Sequence, residues 1–273
     1  MGIFFVSDVY RLGGLETHLL TTFKFLKKKK PSLPITFFSF IERDVSAFSD
    51  IGLYCDIFNL SKEEIKSNRY ESFFLFKEAL LKESTFNPPR AIVAHPFYSF
   101  FSSFYVAVKK NIPLIIFLHG KLSSRFNESV LNDVFRSWIL PNALVFTVNP
   151  SLGSSYCYLP NPIDEDLWTP SNLGDDNYIL LVSRLDWEKE RGIIKVLTDL
   201  QKQNLPIKVV GKGDSLEKLK ARFPNVQFLG AKSQEEIKNL MERATLVCGM
   251  GRGLFFNGLR KFSLVDVNRV LLL

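Results

Sequence analysis

The chain has 273 residues, 46% of them hydrophobic and 23% charged, and a formal net charge of +7. This is ordinary globular composition with material for one large or two small domains, and the charge favours anionic partners: phosphorylated substrates, nucleic acid or an acidic membrane surface. Cys55, Cys157 and Cys248 stand far apart without a CxxC pair, which argues against a zinc or redox pair and fits a reducing cytosol, and no stretch reaches the roughly 18–20 uncharged apolar residues of a membrane span.

The opening MGIFFVSDVY lacks a basic leader, and Asp8 interrupts its apolar run, so Ile3–Val6 reads as a first strand rather than a signal peptide. Val6 also breaks the myristoylation pattern. In GGLETHLLTTFKFLKKKK the spacing of Leu15, Leu19, Leu20 and Phe23 predicts a helix, which Pro31 and Pro34 end. PITFFSF and LYCDIF are strands, and YESFFLFKEALLKE is a helix. AIVAH is a strand ending in His95, FFSSFYVAVKK a helix, and PLIIFLHG a strand ending in His119 and Gly120. ESVLNDVFRSWIL is helical and ALVFTVNP is another strand. Short apolar strands alternating with helices predict βαβ units, a parallel sheet covered on both faces, and ligands beyond the carboxyl ends of the strands.

The segment Cys157–Asn177 carries three prolines and reads as a linker. The alternation then restarts with YILLVS, IKVVGKGD, VQFLG and ATLVCGMG, with helices between them. After Gly251 the period is lost in RGLFFNGLRKFSLVDVNRVLLL. The expected organisation is therefore α/β: a doubly wound parallel unit over residues 1–160, a linker over 161–177, a second and incomplete unit over 178–252, and an atypical tail over 253–273. That tail is expected to pack poorly.

Several residues carry candidate chemistry. Gly13 and Gly14 in GGLE lie between a strand and a helix, where bare backbone and a helix N-terminus accept a phosphate; the alternative is a tight turn with Glu16 favouring the first turn. Gly211 opens GKGD, which lacks the Lys-Ser/Thr of a Walker loop and the third glycine of a dinucleotide fingerprint; the alternative is a turn with Asp214 as N-cap. His119 ends a strand and is placed to orient a hydroxyl or carry a proton. His95 has a weaker claim, and His18 reads as structural. In LLVSRLDWEKE, Arg184 and Lys189 either hold an anion or belong to a charged loop opening a helix. Lys27–Lys30 complement a helix dipole or, alternatively, meet anionic lipid. No nucleic-acid-binding motif appears, and the aromatics are spread as core residues.

Taken in order, GGLETHLL, IIFLHG, PNPID, LVSRLDWEKE, VVGKGD, VQFLG and CGMGR resemble a family-4, GT-B-type retaining glycosyltransferase from Ile3 to about Arg252. The resemblance implies that the N-terminal half meets a glycan or lipid-linked acceptor and the C-terminal half binds a nucleotide-diphosphate sugar. It implies that Gly13 and Gly14 lie over the diphosphate, that Arg184 and Lys189 hold it, and that His119 lies near the donor sugar. Cations placed where a leaving diphosphate gains charge lower the barrier, so neither metal nor cofactor is implied. The implied location is cytoplasmic, with peripheral contact to an anionic membrane as an option.

Two departures stand out. The family's pattern has glycine after the lysine, where this chain has Glu190 and Arg191. It then continues with a helix carrying two glutamates, where GLFFNGLRKFSLVDV has none. These features lead to the expectation of a truncated transferase, either still active or a non-catalytic remnant that binds glycan or membrane. A Rossmann-type oxidoreductase is disfavoured because neither glycine loop supplies GxGxxG.

Overall fold

In the computed structural model, which describes residues 1–9, 14–41, 54–60, 69–96, 99–120, 129–169, 176–249 and 265–266, the apolar runs of the N-terminal half form parallel strands. In order they are β1 (Ile3–Val9), α1 (Gly14–Lys29), β2 (Ile35–Ile41), β3 (Tyr54–Leu60), α2 (Arg69–Phe86), β4 (Ala91–Ala94), α3 (Ser99–Lys110), β5 (Leu114–Leu118), α4 (Ser129–Val134), β6 (Leu144–Thr147) and β7 (Cys157–Tyr158). After α4 the helix widens to a π turn over Phe135–Ile139 and tightens to a 3-10 turn over Leu140–Asn142. The strands pair in the order β3-β2-β1-β4-β5-β6-β7. The order reverses between β1 and β4, the switch point at which doubly wound sheets open a crevice for ligands.

Strand alternation divides this unit's apolar residues between two cores. Phe4 and Val6 of β1, Ile92 and Ala94 of β4, and Ile116 and Leu118 of β5 pack with Phe76, Leu80, Phe100, Val106 and Phe135. Their neighbours Phe5, Val93, Ile115 and Phe117 face Leu19 and Phe23 of α1. Phe5 meets Phe23 edge-on, with ring centroids 4.8 Å apart.

The second unit comprises β8 (Ile179–Val182), α5 (Trp187–Leu200), β9 (Ile207–Val210), α6 (Leu216–Arg222), β10 (Gln227–Gly230), α7 (Gln234–Arg243), β11 (Leu246–Gly249) and β12 (Val265–Asp266). Its order, β10-β9-β8-β11-β12, repeats the first unit's 3-2-1-4-5, again with parallel pairing. Leu181, Ile193, Leu197, Val209 and Leu219 fill one side of the sheet, and Tyr178, Leu180, Val210, Met241 and Val247 the other. Helix α7 opens on a capping box: Ser233 Oγ accepts the Glu236 N–H at 3.2 Å, and the Glu236 carboxylate accepts the Ser233 N–H at 2.8 Å.

The chain divides into compact units Met1–Pro162 and Ile163–Leu273. Two parts of the segment read as a linker are built into structure. Cys157–Tyr158 pairs with β6 as an edge strand, and Trp168, 5% exposed, packs into the second unit's core beside Tyr178 and Met241. Of the tail, Val265–Asp266 pairs with β11; its other residues, and the poor packing expected of them, lie outside the described residues. No described helix is long and apolar enough to cross a membrane.

Candidate functional site

In the second unit, the turn after β8 carries Ser183, Arg184, Leu185 and Asp186, and α5 starts at Trp187. The turn after β9 is GKGD, and the two turns are laced together. Leu185 N–H donates to the Lys212 carbonyl at 3.0 Å, and Ser215 N–H donates to the Leu185 carbonyl at 2.9 Å. The glycines permit this approach. A Cβ on Gly211 would lie 1.8 Å from the Ser183 carbonyl oxygen, and Gly211 sits at φ +153°, a region closed to most side chains. A Cβ on Gly213 would lie 2.3 Å from the Leu185 carbonyl carbon. The Gly211 N–H donates to the Gly230 carbonyl at 2.9 Å.

Asp214, considered above as an N-cap for the helix that follows it, caps a different one. Ser215 holds the N-cap position of α6, while an Asp214 carboxylate oxygen accepts the Trp187 N–H at 3.0 Å, the first residue of α5. The lacing of the turns carries Asp214 to the neighbouring helix. Asp186, nominally the N-cap of α5, makes no side-chain cap bond there and instead pairs with Arg184, Nη1 to Oδ2, at 2.6 Å. Glu190 accepts from Ser215 Oγ at 2.7 Å and from Lys218, and these bonds hold its carboxyl below the usual range. The residue that stands where the resemblance expects glycine thus ties α5 to α6.

Arg184 and Lys189 consequently flank the start of α5 at the carboxyl end of β8, the strand where the order reverses. Arg184 is exposed and Lys189 half-buried. Desolvation, then the Arg184 charge, pushes the Lys189 ammonium below its ordinary 10.5, while Asp186 and Glu188 act in the opposite direction. A half-buried ammonium beside a guanidinium at the positive end of a helix is relieved by an incoming anion. The Arg184–Asp186 pair is open to solvent, and such pairs contribute about 0–1 kcal/mol, so an anion can displace it at little cost.

In the first unit, His95 follows β4 and His119 follows β5, adjacent strands in the sheet. By alternation both fall on the α1 side, with Val93 and Phe117. His18 lies one turn into α1. The three histidines converge: His95 Nδ1 is 2.9 Å from His119 Nε2, and the His18 and His119 rings meet edge-on at 4.9 Å. His18 Nδ1 lies 3.1 Å from Asn161 Oδ1, which brings GGLETHLL and PNPID together. His95 is 1% exposed, stacked against Phe117 at 5.1 Å, and held well below its usual pKa by burial and by the other two histidines.

Of the residues predicted from sequence, Arg184, Lys189 and Gly211 share one end of the second sheet, and His119 lies at the corresponding end of the first. Gly14 is the first residue of α1; Gly13 lies outside the described residues. The sequence reading did not bring His18 and His95 together with His119, nor Asn161 with His18; strand alternation, which puts His95 and His119 on one face, is the signal that could have found the pair. One ring nitrogen from each of His18, His95 and His119 lies within 4.8 Å of the others, close enough to hold a metal ion.

No family profile matches the sequence, and no curated protein is a significant match. Solved structures do match in fold. A glycosyltransferase from Rickettsia africae superposes with TM-score 0.76 at 14% identity, over 97% of this chain and 78% of that one. Anabaena HepE in complex with UDP-glucose gives TM-score 0.74 at 16% identity, over 97% and 80%. A putative UDP-N-acetylglucosamine 2-epimerase from Listeria monocytogenes gives TM-score 0.61 at 11% identity, over 93% and 76%. Both units carry the Rossmann-like parallel architecture of the GT-B fold.

Proposed function

We propose that the chain is a nucleotide-sugar-dependent glycosyltransferase whose second unit holds the donor diphosphate through Arg184 and Lys189. The observation that carries this is the pair itself: two cations at the opening of α5, on a turn whose path the GKGD glycines fix, at the sheet's switch point. Arg184 supplies a planar, bidentate contact and Lys189 a point charge. As the glycosidic bond breaks, negative charge grows on the leaving diphosphate, and these cations stabilise it without a metal. Gly211 shapes the turn, and the family resemblance assigns Gly13 and Gly14 to the phosphates and His119 to the donor sugar. The fold shared with a UDP-glucose-bound protein supports a sugar nucleotide as donor.

The resemblance to family-4 retaining enzymes further suggests a glycan or lipid-linked glycan acceptor and retention of configuration. Lys28, Lys29 and Lys30, exposed at the end of α1 beside exposed Phe25, suit peripheral contact with an anionic membrane. The test is nucleoside-diphosphate release from a panel of nucleotide sugars, with and without glycan and lipid-linked acceptors. Acceptor-dependent release supports transfer. Interconversion of the sugar while it remains on the nucleotide would replace transfer with epimerisation. Binding without turnover would favour a non-catalytic protein that binds glycan or membrane.

A further inference from the structure

His95 is buried, uncharged and in contact with His119, and the direction of that hydrogen bond decides where His119 carries its proton. One of the two facing atoms, His95 Nδ1 or His119 Nε2, must be protonated to bond across 2.9 Å. If His119 donates, a neutral His95 keeps its proton on Nε2. Among the described residues that atom is buried without a partner, so the result is an orphan N–H between aromatic rings. If His95 donates, Nε2 is left as a bare lone pair. Buried orphan N–H groups are the rarer arrangement in proteins, so the second direction prevails. Asn161 applies the same bias to His18, whose Nδ1 faces an amide oxygen. A transition-metal ion among the three rings would need the lone pairs of His95 Nδ1 and His119 Nε2 and would return the proton to His95 Nε2. The same orphan N–H disfavours that occupancy.

We propose that His95 is a positioning residue that donates its Nδ1–H to His119 Nε2 and thereby fixes His119 as the tautomer protonated on Nδ1. The consequence for transfer rests on the reading of His119 as the residue facing the donor sugar: Nδ1–H then points a fixed donor at a sugar oxygen.

The chain has three histidines, so histidine-selective nitrogen labelling of the full protein gives a spectrum of three ring systems. Long-range proton–nitrogen correlation at neutral pH, before and after EDTA, reads each tautomer, with single variants for assignment. Wild type should show His95 and His119 both protonated on Nδ1, unchanged by EDTA. His95→Asn keeps a donor near the position of Nδ1, so His119 should keep its tautomer; His95→Leu removes it, and His119 should shift toward Nε2–H, as in free imidazole. Protonation of His119 on Nε2 in wild type, or resonances that move with EDTA, would overturn the proposal. Should His95→Leu fail to fold, the wild-type spectrum alone decides. In a transfer assay, His95→Leu should lower kcat roughly ten- to a hundred-fold with donor KM nearly unchanged, and His95→Asn should recover most of it. Absence of transfer in every variant would count against the proposed function and leave the tautomer result standing.

Discussion

At Gly211 and Gly213 the missing side chains let two turns pass within backbone contact. Gly211→Ala combines a positive φ of +153° with a Cβ 1.8 Å from a carbonyl oxygen, and Gly230→Ala has φ +71° with nothing within 4 Å. Alanine at Gly230 should cost about 1–2 kcal/mol from conformation alone. Alanine at Gly211 should cost more than about 3 kcal/mol and move Ser183 and Arg184. Urea unfolding followed by the fluorescence of buried Trp168 compares the two variants, and equal losses would contradict this reading of GKGD. Lys189 makes a second prediction. Its pKa lies below 10.5 in the free protein, chiefly through desolvation, and a bound diphosphate raises it. Between the two values binding takes up a proton, so affinity should fall as pH rises through the depressed pKa. Calorimetry in buffers of different ionisation enthalpy measures that proton; none taken up at alkaline pH would contradict the assignment.

Among the elements, α7 shows most plainly how local chemistry is set. Its capping box satisfies two backbone N–H groups, and its inner face packs Ile237, Leu240 and Met241 into the core around Trp168. Ser233→Ala should cost about 1 kcal/mol, again read from Trp168 fluorescence. Lys232, then Ser233, lower the Glu236 carboxyl from 4.5 to about 2. Because its folded pKa is depressed, its contribution is present above about pH 4.5 and lost as pH falls toward 2. The stability difference between wild type and Glu236→Gln should narrow over that window; a difference independent of pH would contradict it. In the first unit, the Phe135 ring stacks on Phe100 at 5.4 Å and is fully buried. Phe135→Ala should cost about 3–5 kcal/mol by urea unfolding.

Over the whole molecule, the alternation of buried strands and covering helices was legible in sequence because parallel strands covered on both faces read as unbroken apolar runs. IFFV, AIV, LIIF, ILLV, KVV and LVC all became strands. The two-residue strands β7 and β12 were not legible, since pairing rather than pattern creates them. Arg184, Lys189 and Gly211 were visible as residues, but the lacing of their turns was not: Asp214 caps a helix 27 positions back, a partnership only the register of β8 beside β9 creates. The histidine cluster needed strand parity and the rotation of α1 together. Above all, the proposed function makes Arg184 part of an anion clamp. Removing a charged hydrogen-bond partner from a ligand costs about 1.5–3 kcal/mol, or roughly ten- to a hundred-fold in affinity. Calorimetric titration of wild type, Arg184→Ala and the exposed Arg191→Ala with uridine and UDP measures that loss. A loss of that size is expected for UDP in Arg184→Ala, with little change for uridine and near-wild-type binding in Arg191→Ala. Equal UDP affinity in wild type and Arg184→Ala would contradict it and leave RLDWEKE an ordinary charged helix start.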